Sequence, residues 1–443
     1  MTGSIRDRLF FLRSGLLVRG TVTFRKELAF NMRRPADELR YLNWERRKRI
    51  VDHAFRTVPF YQKRYSAVGF EPGDLKNEED FSELPILERS HIRENLDDLI
   101  SRNFHKNELK PVSTGGTTGA PITIFSDPRY PLNVISWRTL ETWGVSPADN
   151  SAYLYRAIPT GISKVLRSLA LYPTRRSYLS AFAMSDENLD RFFKALQATR
   201  PKYLVGYVGA LDVFASYLFD SGLELPGLRA VWSTAAPLSD VKKNFFQTTF
   251  GCPVFSQYGS CEFYWIASEC HEQSGLHIDS DIRHVEVVDS EDTPCETREH
   301  GDLIVTDLLN EAFPLIRYRV GDRGRMLAPT CACGLPFPLM DYVKGRVSDT
   351  ITLRSGKKIP GEIWTTIFDD FVSEIRSFSV HQSADYRIRV YFEPYGENPS
   401  AVLEEVRQRL SKHLDEKTEI KFLAGTHGAI VGGKPQFVTS DVG

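Results

Sequence analysis

The sequence predicts an α/β protein of more than one domain, and three stretches predict it. Residues 185–260 alternate helical segments with short apolar ones, the tract after Leu276 turns strand-rich, and a small α+β unit follows past residue 345. At 443 residues the chain exceeds one ordinary core, taking about 150 residues per domain. The expected division is a large domain over 1–344, opening with a basic lead-in at 1–35, and a small domain over 345–443.

Taken in order, the spacing of Leu39, Leu42, Trp44, Ile50, Val51 and Ala54 predicts an amphipathic helix that stops before Val58-Pro59. A second helix is expected around Ile92, and Ile122 to Phe125 reads as a strand. Ser185 is placed to cap a helix with Leu189, Phe192, Phe193 and Leu196 on one face, ended by Pro201. Strands at 203–207, 228–233 and 254–257 then alternate with helices at 210–220 and from Ser239 to Gly251. Further on, 284–288 and 303–306 read as strands. In the last unit Ile388, Val390 and Phe392 alternate on a strand, and Val402, Leu403, Val406 and Leu410 line a helix.

Composition narrows the class. Hydrophobic content of 42% with 26% charged residues describes a globular protein, and a net charge of -1 shows no bias toward nucleic acid. Six unevenly spaced cysteines do not form a secreted disulfide framework, so a reducing cytoplasm is expected. No apolar run approaches the roughly 18 residues of a membrane span, and Arg13 cuts the Leu9-Phe10-Phe11-Leu12 cluster too early for a signal peptide. The N-terminus is nonetheless basic, through Arg6, Arg8, Arg13, Arg19, Arg25, Lys26, Arg33 and Arg34. It reads either as a solvated amphipathic lead-in or as a segment for a membrane surface or a partner.

The densest chemical signal lies at Ser113-Thr114-Gly115-Gly116-Thr117-Thr118-Gly119-Ala120. Glycines let backbone N–H groups approach closely and the hydroxyls add donors, which together suit a phosphate chain. It is not a Walker A loop, because no Gly-Lys-Ser/Thr follows. A polar surface loop is the alternative reading of this stretch alone.

Five texts in order, read together, resemble the adenylate-forming superfamily, in the phenylacetate–CoA ligase and capsular-polysaccharide (CapK-like) branch. They are Gly116-Thr117-Thr118-Gly119-Ala120-Pro121, Tyr258-Gly259-Ser260-Cys261-Glu262, Pro314 to Asp322, Gly345-Arg346-Val347-Ser348-Asp349, and Gly433-Lys434. The resemblance covers roughly residue 40 to the end. It implies a large N-terminal domain of mixed sheets flanked by helices and a mobile C-terminal lid, with ATP and Mg²⁺ used to activate a carboxylic acid. Joining two anions requires positive charge and preorganised donors as pyrophosphate leaves.

On the same resemblance, residues 113–119 hold the β- and γ-phosphates, Ser233, Ala235, Ala236 and Pro237 form an adenine-side turn, and Tyr258 and Gly259 lie against the base. Glu262 helps to hold Mg²⁺, Asp322 accepts the ribose hydroxyls, Cys261 stands by the α-phosphate, and Arg346 lies at the inter-domain junction. Lys434 reaches the α-phosphate and the substrate carboxylate. The chain departs from the pattern at three places: Ala120 where Lys is common, Cys261 where Thr or Ser is usual, and Ser348 where a hinge aspartate is common. A thiol is a weaker donor than a hydroxyl, which points to a specialised substrate or pathway.

A second constellation is Cys270, His277, Cys331 and Cys333, whose residue types suit a structural zinc, with His271 as the alternative histidine. Cys252 and Cys295 are read as ordinary thiols.

These expectations lead to an AMP-forming ligase that passes an acyl group to CoA. A second reading keeps the adenylation but uses an amine or hydroxyl acceptor in natural-product or polysaccharide assembly, and a third is a weakly catalytic nucleotide-binding scaffold. Trp137, Trp143, Tyr207 and Phe263 are candidates either for an aromatic-acid pocket or for ordinary core.

Overall fold

The computed structural model describes residues 4–113, 122–155, 158–328, 331–343, 350–360, 363–364, 367–368, 371, 374–394, 399–415, 418–425, 430–431, 434–435 and 438–442. Their contacts form two compact units, Met1–Ala148 with Gln257–Tyr342, and Asp149–Ser256 with Val343–Gly443.

The chain opens in the first unit with helices α1 (Ile5–Leu17), α2 (Thr21–Asn31), α3 (Ala36–Thr57), α4 (Pro59–Ser66), α5 (Glu78–Ser82) and α6 (Arg89–Glu94). Helix α3 forms where the periodicity placed it. Asp37 and Glu38 occupy its first turn and Arg56 its last, complementing the helix dipole, while Leu39, Asn43, Arg47, Ile50, Val51 and Ala54 are buried along one face. Pro59 cannot continue α3 and instead opens α4 at its first turn, where a missing N–H costs nothing. The hairpin of β1 (Lys110–Ser113) and β2 (Thr123–Ser126) follows, then α7 (Asn133–Thr142).

In the second unit β3 (Ser151–Tyr155), α8 (Gly161–Leu171), β4 (Arg176–Ser180), α9 (Asp186–Thr199), β5 (Tyr203–Tyr207), α10 (Val208–Asp220), β6 (Ala230–Thr234), α11 (Asp240–Phe250) and β7 (Val254–Tyr258) realise the expected alternation. Pairing runs β4-β3-β5-β6-β7, all parallel, up to Ser256 of β7. Leu154, Leu204 and Val231 pack from the strands against Phe192, Phe214 and Phe246 from the helices, giving this sheet a dry face. The expected caps differ in execution. Ser239 accepts a hydrogen bond from the Lys242 N–H and Gly251 closes α11 at φ 65, whereas Ser185 sits at the N-cap of α9 without a side-chain bond. There Asp186 and Glu187 occupy the first turn, where their charge complements the helix's positive end.

Back in the first unit, Gln257 and Tyr258 at the end of β7 pair antiparallel with β8 (Ala267–Glu269), which forms a hairpin with β9 (Leu276–Ile278). Strands β10 (Arg283–Val288), β11 (Gly301–Asp307) and β12 (Tyr318–Gly324) make an antiparallel sheet in that order, and β13 (Leu339–Met340) pairs with β9. The remaining strands belong to the second unit. They are β14 (Thr350–Thr352), β15 (Lys358–Pro360), β16 (Ile375–Gln382) and β17 (Ile388–Pro394), then helix α12 (Pro399–Ser411), then β18 (Ile420–Ala424), β19 (Ile430–Val431), β20 (Lys434–Pro435) and β21 (Val438–Ser440). Among them β18-β17-β16-β21 form one sheet, on which Val406 and Leu410 of α12 join Val380, Ile388 and Val390 in a core.

Two fully buried arginines brace the first unit. Arg283 donates to the carbonyls of Trp265 (3.1 Å), Ile282 (2.8 Å) and Phe263 (2.7 Å) and to Asp307 (2.7 Å). Arg317, held at φ 47, donates through Nε to both oxygens of Glu286 at 3.2 Å and through Nη1 to the carbonyls of Ser82 and Leu84. Its own carbonyl accepts from the Leu87 N–H at 2.9 Å, so the segment leading into α6 is tied to the start of β12. Burial pushes the Glu286 carboxyl upward, opposed by the Arg317 charge. Replacing Arg317 by Met strands that carboxylate, and we expect a loss of about 3–5 kcal/mol in denaturant unfolding. A loss below about 1 kcal/mol, the level of an exposed pair, would show that the brace is dispensable.

Candidate functional site

Tyr258 ends β7 and Asp322 lies on β12, and the tertiary fold brings these 64-residue-separated positions into contact. The Tyr258 hydroxyl donates to Asp322 Oδ2 at 2.9 Å, with both residues buried. The residue after Tyr258 is constrained as well. A Cβ on Gly259 would lie 2.2 Å from the Tyr264 carbonyl oxygen and 2.5 Å from Gln257 Nε2, so only glycine fits there. The tightness arises because the chain turns back at once, with Tyr264 N–H donating to the Ser260 carbonyl at 2.7 Å and Phe263 N–H to Ser260 Oγ at 3.3 Å. Glu262 rides on this turn, its side chain only 9% exposed, with Arg89 Nη1 and the Tyr318 hydroxyl each 3.4 Å from Oε1. Burial and the Glu262 charge both push the Tyr318 hydroxyl upward, so it remains a donor to the carboxylate at neutral pH. Cys261, between them, is exposed.

The other sequence-derived positions fall as follows. Ser233 is buried in β6 and donates to the Phe255 carbonyl at 3.3 Å. Ala235, the next residue but one, has φ 74, a left-handed conformation that a non-glycine residue adopts only where its surroundings enforce it, and Ala236 and Pro237 continue the turn. Ser113 is the last residue of β1, paired with Thr123 of β2, and Lys434 lies in β20 opposite Val431. Thr114, Gly115, Gly116, Thr117, Thr118, Gly119 and Ala120 lie outside the described residues, as do Arg346 and Ser348.

Three of the four aromatic candidates are core. Trp137 packs edge-on against Phe10 at 5.2 Å, Trp143 donates to the Glu269 carbonyl at 2.8 Å, and Phe263 lies 1% exposed between Tyr318 and Arg283. Tyr207 alone is half-buried, its ring 5.1 Å from that of Tyr155.

The cysteine and histidine positions converge without further adjustment. The ligand atoms of Cys270, His277, Cys331 and Cys333 all lie within 4.8 Å of one another, with Cys270 Sγ 3.6 Å from Cys331 Sγ and Cys333 Sγ 3.3 Å from His277 Nε2. A tetrahedral zinc with Zn–S near 2.3 Å and Zn–N near 2.1 Å separates its ligands by roughly 3.5–3.8 Å, so the donor set suits that ion in chemistry and its two closest pairs are near that spacing. His277 Nδ1 is 3.1 Å from the Phe337 carbonyl; a proton held there leaves the Nε2 lone pair facing the thiols. The alternative histidine, His271, lies outside the cluster: it is exposed and 3.2 Å from Glu272. It sits at the tip of the β8–β9 hairpin, while His277 sits on β9 and faces β13. Cys252 is buried in the core of the second unit, and that burial pushes its thiol up to about 12.

Sequence reasoning missed Arg89, Tyr318 and Arg283. Tyr318 and Arg283 lay in stretches already singled out, one within Pro314 to Asp322 and one just before His284, but nothing in spacing marks a buried arginine as a clamp. Arg89 opens α6, and no local signal links it to Glu262.

The arrangement of sheets defines the class. The fold is that of adenylate-forming enzymes: 93% of this chain aligns with 91% of 2-hydroxyisobutyryl-CoA ligase, crystallised in its postadenylation state with R3-HIB-AMP, at a TM-score of 0.74 and 19% identity. The same ligase, crystallised in an open conformation with 2-HIB-AMP and CoA, aligns at a TM-score of 0.63. No protein-family model matches the chain. In sequence it is 26% identical over 366 residues to the phenylacetate-coenzyme A ligase of Escherichia coli K12, spanning 80% of this chain and 79% of that one. It is also 27% identical over 250 residues to protein CapK of Staphylococcus aureus, spanning 54% and 53% of the two chains. In fold and in sequence the chain is thus similar to adenylate-forming ligases, with its likeness in sequence falling in the phenylacetate–CoA ligase and CapK branch.

Tyr258→Phe deletes one hydroxyl and leaves a buried Asp322 carboxylate short of a donor. The expected cost is about 1–3 kcal/mol of stability, read from denaturant or thermal unfolding, and an unchanged curve would mean that the contact does not hold Asp322 in place.

Proposed function

We propose that this chain is an ATP-dependent, AMP-forming ligase that activates a carboxylic acid as its acyl-adenylate and transfers the acyl group to CoA. The observation that carries this reading is the Tyr258–Asp322 hydrogen bond beside the Glu262 turn. It supplies an aromatic face and a fixed carboxylate for a nucleoside, next to a second carboxylate suited to a hard cation. The relatives that are named CoA ligases favour a thiol acceptor over an amine or hydroxyl.

In this scheme Tyr258 lies along adenine with Gly259 and the turn of Ser233, Ala235, Ala236 and Pro237, and Asp322 accepts the ribose hydroxyls. The 113–119 loop and Cys261 face the phosphates, and Glu262 would hold Mg²⁺, which would neutralise charge on the leaving pyrophosphate. Arg89 and Tyr318 position the Glu262 carboxylate. Lys434 contributes a cation where the acid and the α-phosphate meet. We assign residues 345–443 as a lid pivoting near Arg346 and Ser348, since Lys434 is required for adenylation and in the way of the acceptor afterwards. The setting is the cytoplasm.

Acid-dependent exchange of labelled pyrophosphate into ATP, run across a panel of carboxylic acids, tests the reaction. We expect exchange with at least one acid, and Lys434→Ala lowering it by at least ~100-fold with ATP affinity retained, because the charge is needed chiefly in the transition state. Exchange within a few-fold of the parent would remove Lys434 from the mechanism.

For the metal, we assign a closed, structural zinc to Cys270, His277, Cys331 and Cys333, which as four protein ligands leave no open position for catalysis. Purified protein is expected to carry about one zinc per chain, and Cys331→Ser to lose both the metal and thermal stability. Zinc-free protein of parental stability would refute the assignment.

A further inference from the structure

The function above makes no use of the basic N-terminal helices, and their geometry points to a partner. In α1, Phe10 is buried edge-on against Trp137, Phe11 lies 5.7 Å from the same ring, and Asp7 accepts a 2.5 Å hydrogen bond from Ser146. The helix is thus docked along one side. At about 100° per residue, Ile5, Leu9, Leu12 and Leu16 fall within a narrow stripe opposite Phe10 and Phe11. That stripe is open to solvent: Ile5 is 78% exposed, Leu12 62% and Leu16 78%.

A helix that merely packs by one face carries polar residues on the other. Here both faces are apolar, and one is uncovered. Arg8 and Arg13 flank the stripe on either side, and residues 4–34 carry eight Lys/Arg against Asp7 and Glu27 in a chain whose net charge is -1. Among those cations Arg25 pairs with Glu141 and Arg34 with Glu38, while Arg8, Arg19, Lys26 and Arg33 are exposed.

We propose that α1 and the basic residues around it dock this protein on an anionic lipid surface, with Ile5, Leu9, Leu12 and Leu16 entering the acyl boundary and the arginines meeting headgroup phosphates. Charge complementarity chooses the occupant. A second copy of the chain would bring eight more cations to the same face, and a nucleic acid would have no use for four aliphatic side chains. The binding is peripheral and reversible, because no helix among the described residues is long and apolar enough to cross a membrane.

The test is co-sedimentation of the full chain with vesicles of phosphatidylcholine, with and without phosphatidylglycerol, at low and high salt. We expect binding only to the anionic vesicles, weakened by salt, and at least ~10-fold weaker for Leu12→Glu/Leu16→Glu, whose circular dichroism and pyrophosphate exchange should match the parent. Arg8→Gln/Arg19→Gln should reduce binding at low salt and bring it toward the high-salt value. Absence of binding, or equal binding to neutral vesicles, overturns the proposal. So does a Leu12→Glu/Leu16→Glu variant that binds as the parent does, which would mark a general polyanion site. A parental dimer that this variant converts to monomer without any vesicle binding would assign the stripe to a second copy instead.

Discussion

The arrangement of the first unit depends on the burial of Arg283. A guanidinium with no access to water must place its donors, and this one spends four on the carbonyls of Phe263, Trp265 and Ile282 and on Asp307. Two of those carbonyls belong to the segment just after Glu262. The turn that carries Tyr258, Gly259 and Glu262 is therefore pinned from beneath by charge-assisted bonds to the β10–β11 sheet. Arg317 does the same for the other side, tying the approach to α6 onto β12. Buried ion pairs of this kind are weak evidence for net stability, since desolvation offsets much of the attraction. What they contribute is position: neither guanidinium can leave its carbonyls without exposing unpaired polar groups.

This bracing explains why the candidate site can be built from single residues on separate elements. Asp322 reaches Tyr258, and Tyr318 and Arg89 reach Glu262, across gaps that flexible loops would not hold. The same economy governs the metal cluster. The β8–β9 hairpin supplies Cys270 and His277, the segment 331–333 supplies two thiols, and Phe337 orients the imidazole from the chain that runs on into β13. A metal there would cross-link the β8–β9 hairpin to the segment 331–333. Its effect would be felt on the strand that follows Glu262, not in the chemistry.

The N-terminal helices show a contrasting use of apolar residues. Phe10 and Phe24 are spent on packing, whereas Ile5, Leu12 and Leu16 are left in water. Exposed aliphatic residues scattered singly are ordinary, but four in register along one helix face flanked by arginines are not. A ligase held at a lipid surface would meet amphipathic acids or acceptors where they concentrate.

Much of this protein was legible in its sequence because the signals were local. The alternation of 185–260, the ends of α3 and α11 and the β17–α12 pattern all follow from periodicities and caps that act within a few residues. The ordered motifs likewise singled out Tyr258, Glu262 and Asp322 as candidates, and residue type singled out the separate Cys/His set. What the tertiary structure alone decided was which distant groups meet: Tyr258 with Asp322, Arg89 with Glu262, and His277 rather than His271 with the three cysteines. It also decided that Trp137, Trp143 and Phe263 are core, and that α1 is docked by Phe10 and bare along Leu12 and Leu16. A contact between residues tens of positions apart leaves no periodic trace, and an aromatic or leucine reads the same in sequence whether protein or water finally covers it. Burial is a property of the packed chain.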